Sequence, residues 1–194
     1  VTVETVDPAP AFPSLTTPRL RLRELTPDDT PEVFEIHSDA EGMRWFGSDL
    51  LTRSEQALGL IETFAAWRKM PNPGTRWGIE RKENGHLIGT CGLFKWNRAW
   101  RSCTIGYELA RSAWGVGYMR EALVAMLQWG FDNMALNRVE ALIHPENQRS
   151  RRTVARLGFA FEGRMREAGF WNGETQDLEL HALLMRDWPP GRLG

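Results

Sequence analysis

The segment Leu109-Ala-Arg-Ser-Ala-Trp-Gly115-Val-Gly117-Tyr-Met-Arg-Glu121 holds the residue types that bind an anionic phosphate. Two glycines let the backbone approach a ligand closely. Behind them Met119, Ala122, Leu123, Met126, Leu127 and Gly130 share one face of a predicted helix. The first N–H groups of such a helix lack partners within it and face outward, with the helix dipole behind them. Arg120 opposes the dipole, yet it would help to hold a phosphate. On these residues alone, a plain tight turn at Gly115 and Gly117 stays open as the other reading. The spacing is neither G-x-x-x-x-G-K-[ST] nor G-x-G-x-x-G, so Walker-type ATP hydrolysis and Rossmann dinucleotide binding are disfavoured. Cys91 and Cys103 show no C-x-x-C spacing and cannot cage zinc alone, so we expect reduced core thiols and no metal.

The surrounding pattern indicates what must position this loop. Leu20, Leu22 and Leu25 frame a short strand. Thr26 and Pro27 start a helix as N-cap and first residue, and a second helix is predicted over Arg53 to Trp67. Strands follow at Arg76 to Glu80, His86 to Leu93 and Ser102 to Ala110, with Asn84-Gly85 as a hairpin turn. After the loop and its helix come a strand at Arg138 to His144, a helix from Asn147 to Leu157 stopped by Gly158, and strands at Gly163 to Phe170 and Leu178 to Leu184. The order predicts a mixed α/β (α+β) sheet with helices on both faces. One domain over residues 16–190 is expected, preceded by a loose arm over residues 1–15.

Composition excludes several classes. The 194 residues carry 24 basic and 25 acidic side chains, a formal charge of -1, which argues against a bulk nucleic-acid binder. No apolar run nears the roughly 20 residues that span a bilayer. The start of the chain lacks a signal peptide's basic and apolar blocks, so a cytoplasmic protein with no membrane partner is expected. Nine tryptophans are unusual, and several must line a surface or pocket.

The loop resembles the coenzyme A pyrophosphate loop of the GNAT acyltransferases. Trp114-Gly-Val-Gly-Tyr-Met-Arg-Glu-Ala122 is similar in particular to the RimJ/RimL-type branch, the ribosomal-protein N-terminal acetyltransferases. Further pieces occur in that branch's order: Thr17-Pro-Arg-Leu-Arg-Leu-Arg23, His86-Leu-Ile-Gly89, Ile105-Gly-Tyr-Glu-Leu109, Asn147-Gln-Arg-Ser150, Leu157-Gly-Phe159 with Glu162-Gly163, and Trp171-Asn-Gly173 with Asp177. The likeness spans about Thr16 to Trp188.

The resemblance implies a GNAT fold: a central, mostly antiparallel mixed sheet, splayed in the middle. It implies acetyl-CoA as cosubstrate and a primary amine as acceptor, either a protein N-terminus or a small amine, acetylated by direct attack. Pantetheine would pair with Leu109, Ala110 and Arg111. The pyrophosphate would sit on amides of Gly115, Val116, Gly117, Tyr118, Met119 and Arg120. Asn147 would cap its helix and bond the pantetheine arm, and one or two of Arg149, Arg151, Arg152 and Arg156 could meet phosphates. Many relatives carry a thiolate-protonating tyrosine seven residues after the capping Asn; here that position is Val154. The branch uses instead the serine that is Ser150 here.

The branch's glutamate base falls on Gly169, so Glu167, Glu108 and His181 are the candidates, with water as a further route. The oxyanion donor would be the N–H of Leu109 or Ala110. Trp45, Phe46, Trp77, Phe94, Trp96, Phe170 and Trp171 come from the regions flanking the acceptor side; of these Trp45, Trp77, Phe94 and Trp171 are taken as substrate-binding. So many rings also fit self-association as a homodimer. A non-catalytic acyl-CoA sensor is the alternative to an enzyme, supported by the glycine at 169.

Overall fold

A computed structural model describes residues 11–188. Eight strands form one sheet in the order β1-β2-β3-β4-β5-β6-β8-β7. They are β1 (Leu15–Thr16), β2 (Leu20–Arg23), β3 (Thr75–Arg81), β4 (Leu87–Asn97), β5 (Ser102–Leu109), β6 (Arg138–Ile143), β7 (Ala160–Trp171) and β8 (Glu174–Leu184). Every pairing is antiparallel except β5 with β6. The helices are α1 (Thr30–Ser38), α2 (Ala40–Met43), α3 (Ser54–Trp67), α4 (Tyr118–Asn133) and α5 (Gln148–Arg156). The mixed sheet with helices on both faces is as expected; the short β1 and α2 were not foreseen.

Strand alternation assigns the faces. Trp77, Cys91, Leu93 and Ile105 turn toward α4 and α5, where they join Ala122, Leu123, Met126, Leu127 and Val154 in the main core. Arg76 turns the other way, over the rings of Phe46 and Phe64. A smaller cluster on that side packs Leu25 and Leu87 against Val33, Ala57, Ile61 and Phe64 of α1 and α3.

Local rules explain the joints. Asp29 accepts from the Thr26 N–H at 2.8 Å, closing a capping box around the turn Pro27–Asp29 that leads into α1. Gly85 takes φ +69° in the hairpin between β3 and β4. Of the expected loose arm, residues 1–10 lie outside the described residues, and the rest is tied down. Phe12 packs edge-on against Trp77, the Pro13 carbonyl accepts from the Trp77 indole at 2.5 Å, and Leu15 pairs with Leu22.

Candidate active site

The sheet forks between β5 and β6. Their parallel pairing runs only from Ser102↔Arg138 to Ile105↔Ala141, yet β5 continues to Leu109 and β6 to Ile143. The limbs past Ile105 and Ala141 therefore keep backbone groups that no neighbouring strand satisfies. Register shows which ones. Ala110 N–H donates to the Ile88 carbonyl at 2.9 Å. In an antiparallel ladder alternate residues face opposite edges, so the Leu109 N–H, opposite Gly89, points into the fork. Ala110 is thereby removed as a candidate oxyanion donor, and the Leu109 N–H is left as the candidate. The Leu109 carbonyl accepts from the Trp114 indole at 3.0 Å, and Arg149 lies over the same indole at 4.0 Å.

The loop at the end of β5 makes a short 3-10 turn, Arg111–Ala113, before α4. This turn ends the extended backbone before Arg111, whose side chain pairs with Asp39 at 2.5 Å rather than facing the fork. Gly115 and Gly117 hold φ +82° and +85°, the left-handed region that disfavours side chains. A Cβ at Gly115 would meet nothing within 4 Å, and one at Gly117 would meet only the Arg19 guanidinium, at 3.5 Å. Glu121 N–H returns to the Gly117 carbonyl, so the amides of Tyr118, Met119 and Arg120 have no acceptor within α4. Open space, left-handed glycines and outward amides fit a diphosphate.

Arg19 is a neighbour of the candidate loop that the sequence pattern does not single out. It donates to Glu121 at 2.6 Å and to the Val116 carbonyl at 3.0 Å, and lies 4.5 Å over the Tyr118 ring. One cation thus pins the loop and the first turn of α4. Burial opposes charge on Glu121, but bonds from Thr17 and Arg19 outweigh it and hold the carboxyl below the usual range.

On the β6 side, Asn147 caps α5 by accepting from the Ser150 N–H at 3.1 Å. Ser150 meets Tyr107 of β5, hydroxyl to hydroxyl, at 2.5 Å. Burial pushes the Tyr107 phenol up to about 12, although the Ser150 bond pulls the other way. Arg151 pairs with Glu179 at 2.9 Å.

The other candidate bases are placed differently. Glu108 is buried between Arg76, Thr90 and His37. Burial alone would raise its pKa; Arg76, with the His37 and Thr90 hydrogen bonds, wins and holds it below the carboxylate range. Such a carboxylate is a weak base. Glu167 was expected to share a face with residue 169. The strand shifts register between Met165 and Gly169, and Glu167 itself sits at φ +51°, so the alternation fails. Its side chain is exposed and its N–H bonds Asp177 at 2.8 Å. His181 is buried against Glu179 at 3.1 Å and the Phe161 ring. At Gly169 a Cβ would run into the Trp171 ring. The indole therefore occupies the space a side chain at 169 would need.

Among the aromatic candidates, Trp77 is corrected. It is fully buried in the main core, so it cannot line an acceptor pocket. Phe94 is half-buried against Trp67. Trp45 and Trp171 meet at a residue that sequence reading passed over: His144, next after β6. Its ring stacks on Trp45 at 4.0 Å and meets the Trp171 edge at 6.2 Å. Its Nε2 lies 3.2 Å from Gln176 Oε1, and its Nδ1 accepts from the Glu146 N–H at 3.1 Å. No local motif marks His144; only the fork's geometry does. Among the described residues, no helix is long and apolar enough to cross a membrane, and no group of three or more His, Cys, Asp or Glu could hold a metal ion.

Residues 19–160 match the family model described as an acetyltransferase (GNAT) domain. The chain is 34% identical over 173 residues to the Bacillus subtilis protein named uncharacterized N-acetyltransferase YoaA, covering 89% of this chain and 97% of that one. It is 35% identical over 117 residues to the Escherichia coli [ribosomal protein uS5]-alanine N-acetyltransferase, covering 60% of each. In fold it is similar to Mycobacterium smegmatis RimJ, solved with CoA-disulfide, at a TM-score of 0.81 and 24% identity over 93% of this chain and 90% of that one. A Vibrio cholerae spermidine N-acetyltransferase, solved with CoA and spermine, shares the fold at a TM-score of 0.74 and 22% identity over 87% and 96%. The chain belongs to the GNAT family of N-acetyltransferases, enzymes that move an acetyl group from acetyl-CoA to an amine, and it is similar within that family to the RimJ/RimL-type members.

Proposed function

We propose that residues 16–190 act as one catalytic domain that acetylates a primary amine, with a protein N-terminal amine ahead of a small amine as acceptor. The observation that carries this is the fork between β5 and β6, opening beside the amides of residues 115–120. Acetyl-CoA, when bound, supplies the activated acetyl thioester. The residues divide the remaining work. Loop amides and Arg19 hold the diphosphate. Asn147 and the β5 limb direct the pantetheine arm into the fork. The Leu109 N–H stabilises the charge that develops on the carbonyl oxygen. Ser150 gives a proton to the departing thiolate.

The base is the weakest demand for this acceptor class. A peptide N-terminus has a pKa near 8, against roughly 10.4 for lysine, so water leading to solvent suffices. That suits a site where the Glu108 charge is held by Arg76 and residue 169 has no side chain. The acceptor would lie on the α1–α3 face, against Trp45, His144 and Trp171. The E. coli relative's name supports a protein alanine acceptor, and the spermidine enzyme's shared fold keeps polyamines in view. Exposed Phe161 and Phe170 on edge strand β7 support self-association, which light scattering would measure.

The test is thiol release from acetyl-CoA against a panel of N-terminal peptides, polyamines and small amines. Turnover is expected to favour short peptides with free N-termini over N-blocked, lysine-containing ones. Preference for a polyamine would overturn the acceptor assignment. Silence across the panel would overturn the reading as a whole.

A further inference from the structure

We propose that Tyr107 is a positioning residue for proton donation: its hydroxyl fixes the rotor of Ser150 so that the serine proton faces the fork. This rests on the reading of Ser150 as the donor to the departing thiolate. The two hydroxyls lie 2.5 Å apart and come from opposite limbs, Tyr107 from β5 and Ser150 from the first turn of α5. They have two protons and one bond between them, so one proton is left for a third group.

Two observations decide which. A phenol is more acidic than an aliphatic alcohol and is the better donor. Burial keeps this phenol protonated far above neutral pH. Tyr107 therefore donates and Ser150 accepts. Nor is the serine proton taken up by the helix. Serine in a helix often bonds the carbonyl four residues back. Thr153 does so, to Arg149 at 2.9 Å, whereas Ser150 Oγ bonds Tyr107. Val154 stands at the place where many relatives carry a tyrosine, and it is fully buried in the core. The phenol in this chain comes instead from the sheet.

The proton count closes. As the C–S bond breaks, its electron pair stays on sulfur and the Ser150 proton moves there. The Tyr107 O–H steadies the serine oxygen left negative. The amine loses its proton to water on forming the C–N bond, and water returns one to Ser150. Tyr107 keeps its own proton throughout.

The test is a cycle of Tyr107→Phe, Ser150→Ala and the double variant. Tyr107→Phe deletes one oxygen and should lower kcat about tenfold, with KM for acetyl-CoA and amine within about twofold. Ser150→Ala should cost at least as much, and the double variant no more than Ser150→Ala alone. Calorimetry should show the affinity of Tyr107→Phe for coenzyme A unchanged. A readout apart from turnover exists because the chain has only two tyrosines. With 13C-labelled tyrosine, the signal absent from Tyr107→Phe is Tyr107, and Ser150→Ala should shift it. Wild-type kcat in Tyr107→Phe, losses that add in full, or an unmoved Tyr107 signal would each overturn the proposal. Wild-type turnover in Ser150→Ala would overturn the donor role as well. A slow Ser150→Ala beside a normal Tyr107→Phe removes Tyr107 alone.

Discussion

Glu108 and Arg76 form an ion pair with both side chains only 3% exposed. Thr90 and His37 complete the carboxylate's bonds. Removing one charge of such a pair leaves the other buried without compensation, at about 3–5 kcal/mol. Glu108→Gln should lose about that much stability in urea unfolding near pH 7. The sign with pH follows from linkage. The folded carboxyl titrates below its ordinary 4.5, so the unfolded chain binds more protons at mildly acid pH. The stabilisation is present above that ordinary value and is lost as pH falls through the lower, folded one. Glu108→Gln should therefore show a flatter acid limb than the wild type; an equally steep limb would place the acid sensitivity elsewhere. The sequence showed Glu108 as a carboxylate in the right strand. It could not show that Arg76, Thr90 and His37 converge on it from two other strands and a helix. Tyr107 and Ser150, 43 positions apart, were hidden for the same reason. Trp77 erred in the opposite direction: tryptophan reads as a surface or pocket residue by abundance, while strand alternation turned this one into the core.

The loop between β5 and α4 was the most legible element, because its chemistry is local. Glycines, a helix start and outward amides lie within a few consecutive residues, and no distant contact is needed to see them. Its anchor is not local. Arg19 bonds Glu121 and the Val116 carbonyl from the turn between β1 and β2, about a hundred positions away. Gly117→Val should weaken coenzyme A binding tenfold or more by calorimetry, for two reasons that add. A β-branched residue at φ +85° is strained, and its side chain would stand toward the Arg19 guanidinium. Unchanged affinity would move the diphosphate off this loop. Strand β7 was less legible. Its predicted alternation breaks between Met165 and Gly169, and a bulge of that kind moves side chains to the other face without a clear signature in residue types. That is why Glu167 was assigned to a face it does not take.

The fork distributes the site over both halves of the sheet. Amides of residues 115–120 and the Leu109 N–H belong to the β5 side, and Asn147 and Ser150 to the β6 side, with Tyr107–Ser150 and Trp114–Arg149 crossing between them. The unfolded chain brings none of these together, so a ligand held by both sides binds only the native state. Coenzyme A at one hundred times its dissociation constant should then add about 2.7 kcal/mol to stability. For a chain of this size that raises Tm by about 5–10 °C. The location is testable by amide hydrogen exchange. New protection should appear together at Leu109, in the loop ahead of α4 and at the start of α5, because one ligand spans all three. Protection confined to the loop would mean that the diphosphate binds while the pantetheine arm stays out of the fork. In that event a thermal shift alone would not support acetyl transfer through this cleft. Gly117→Val gives the matching control: at the same coenzyme A concentration a tenfold loss of affinity should cut the shift to about half or less and weaken the protection at α5 with it, a segment that its own side chain does not touch.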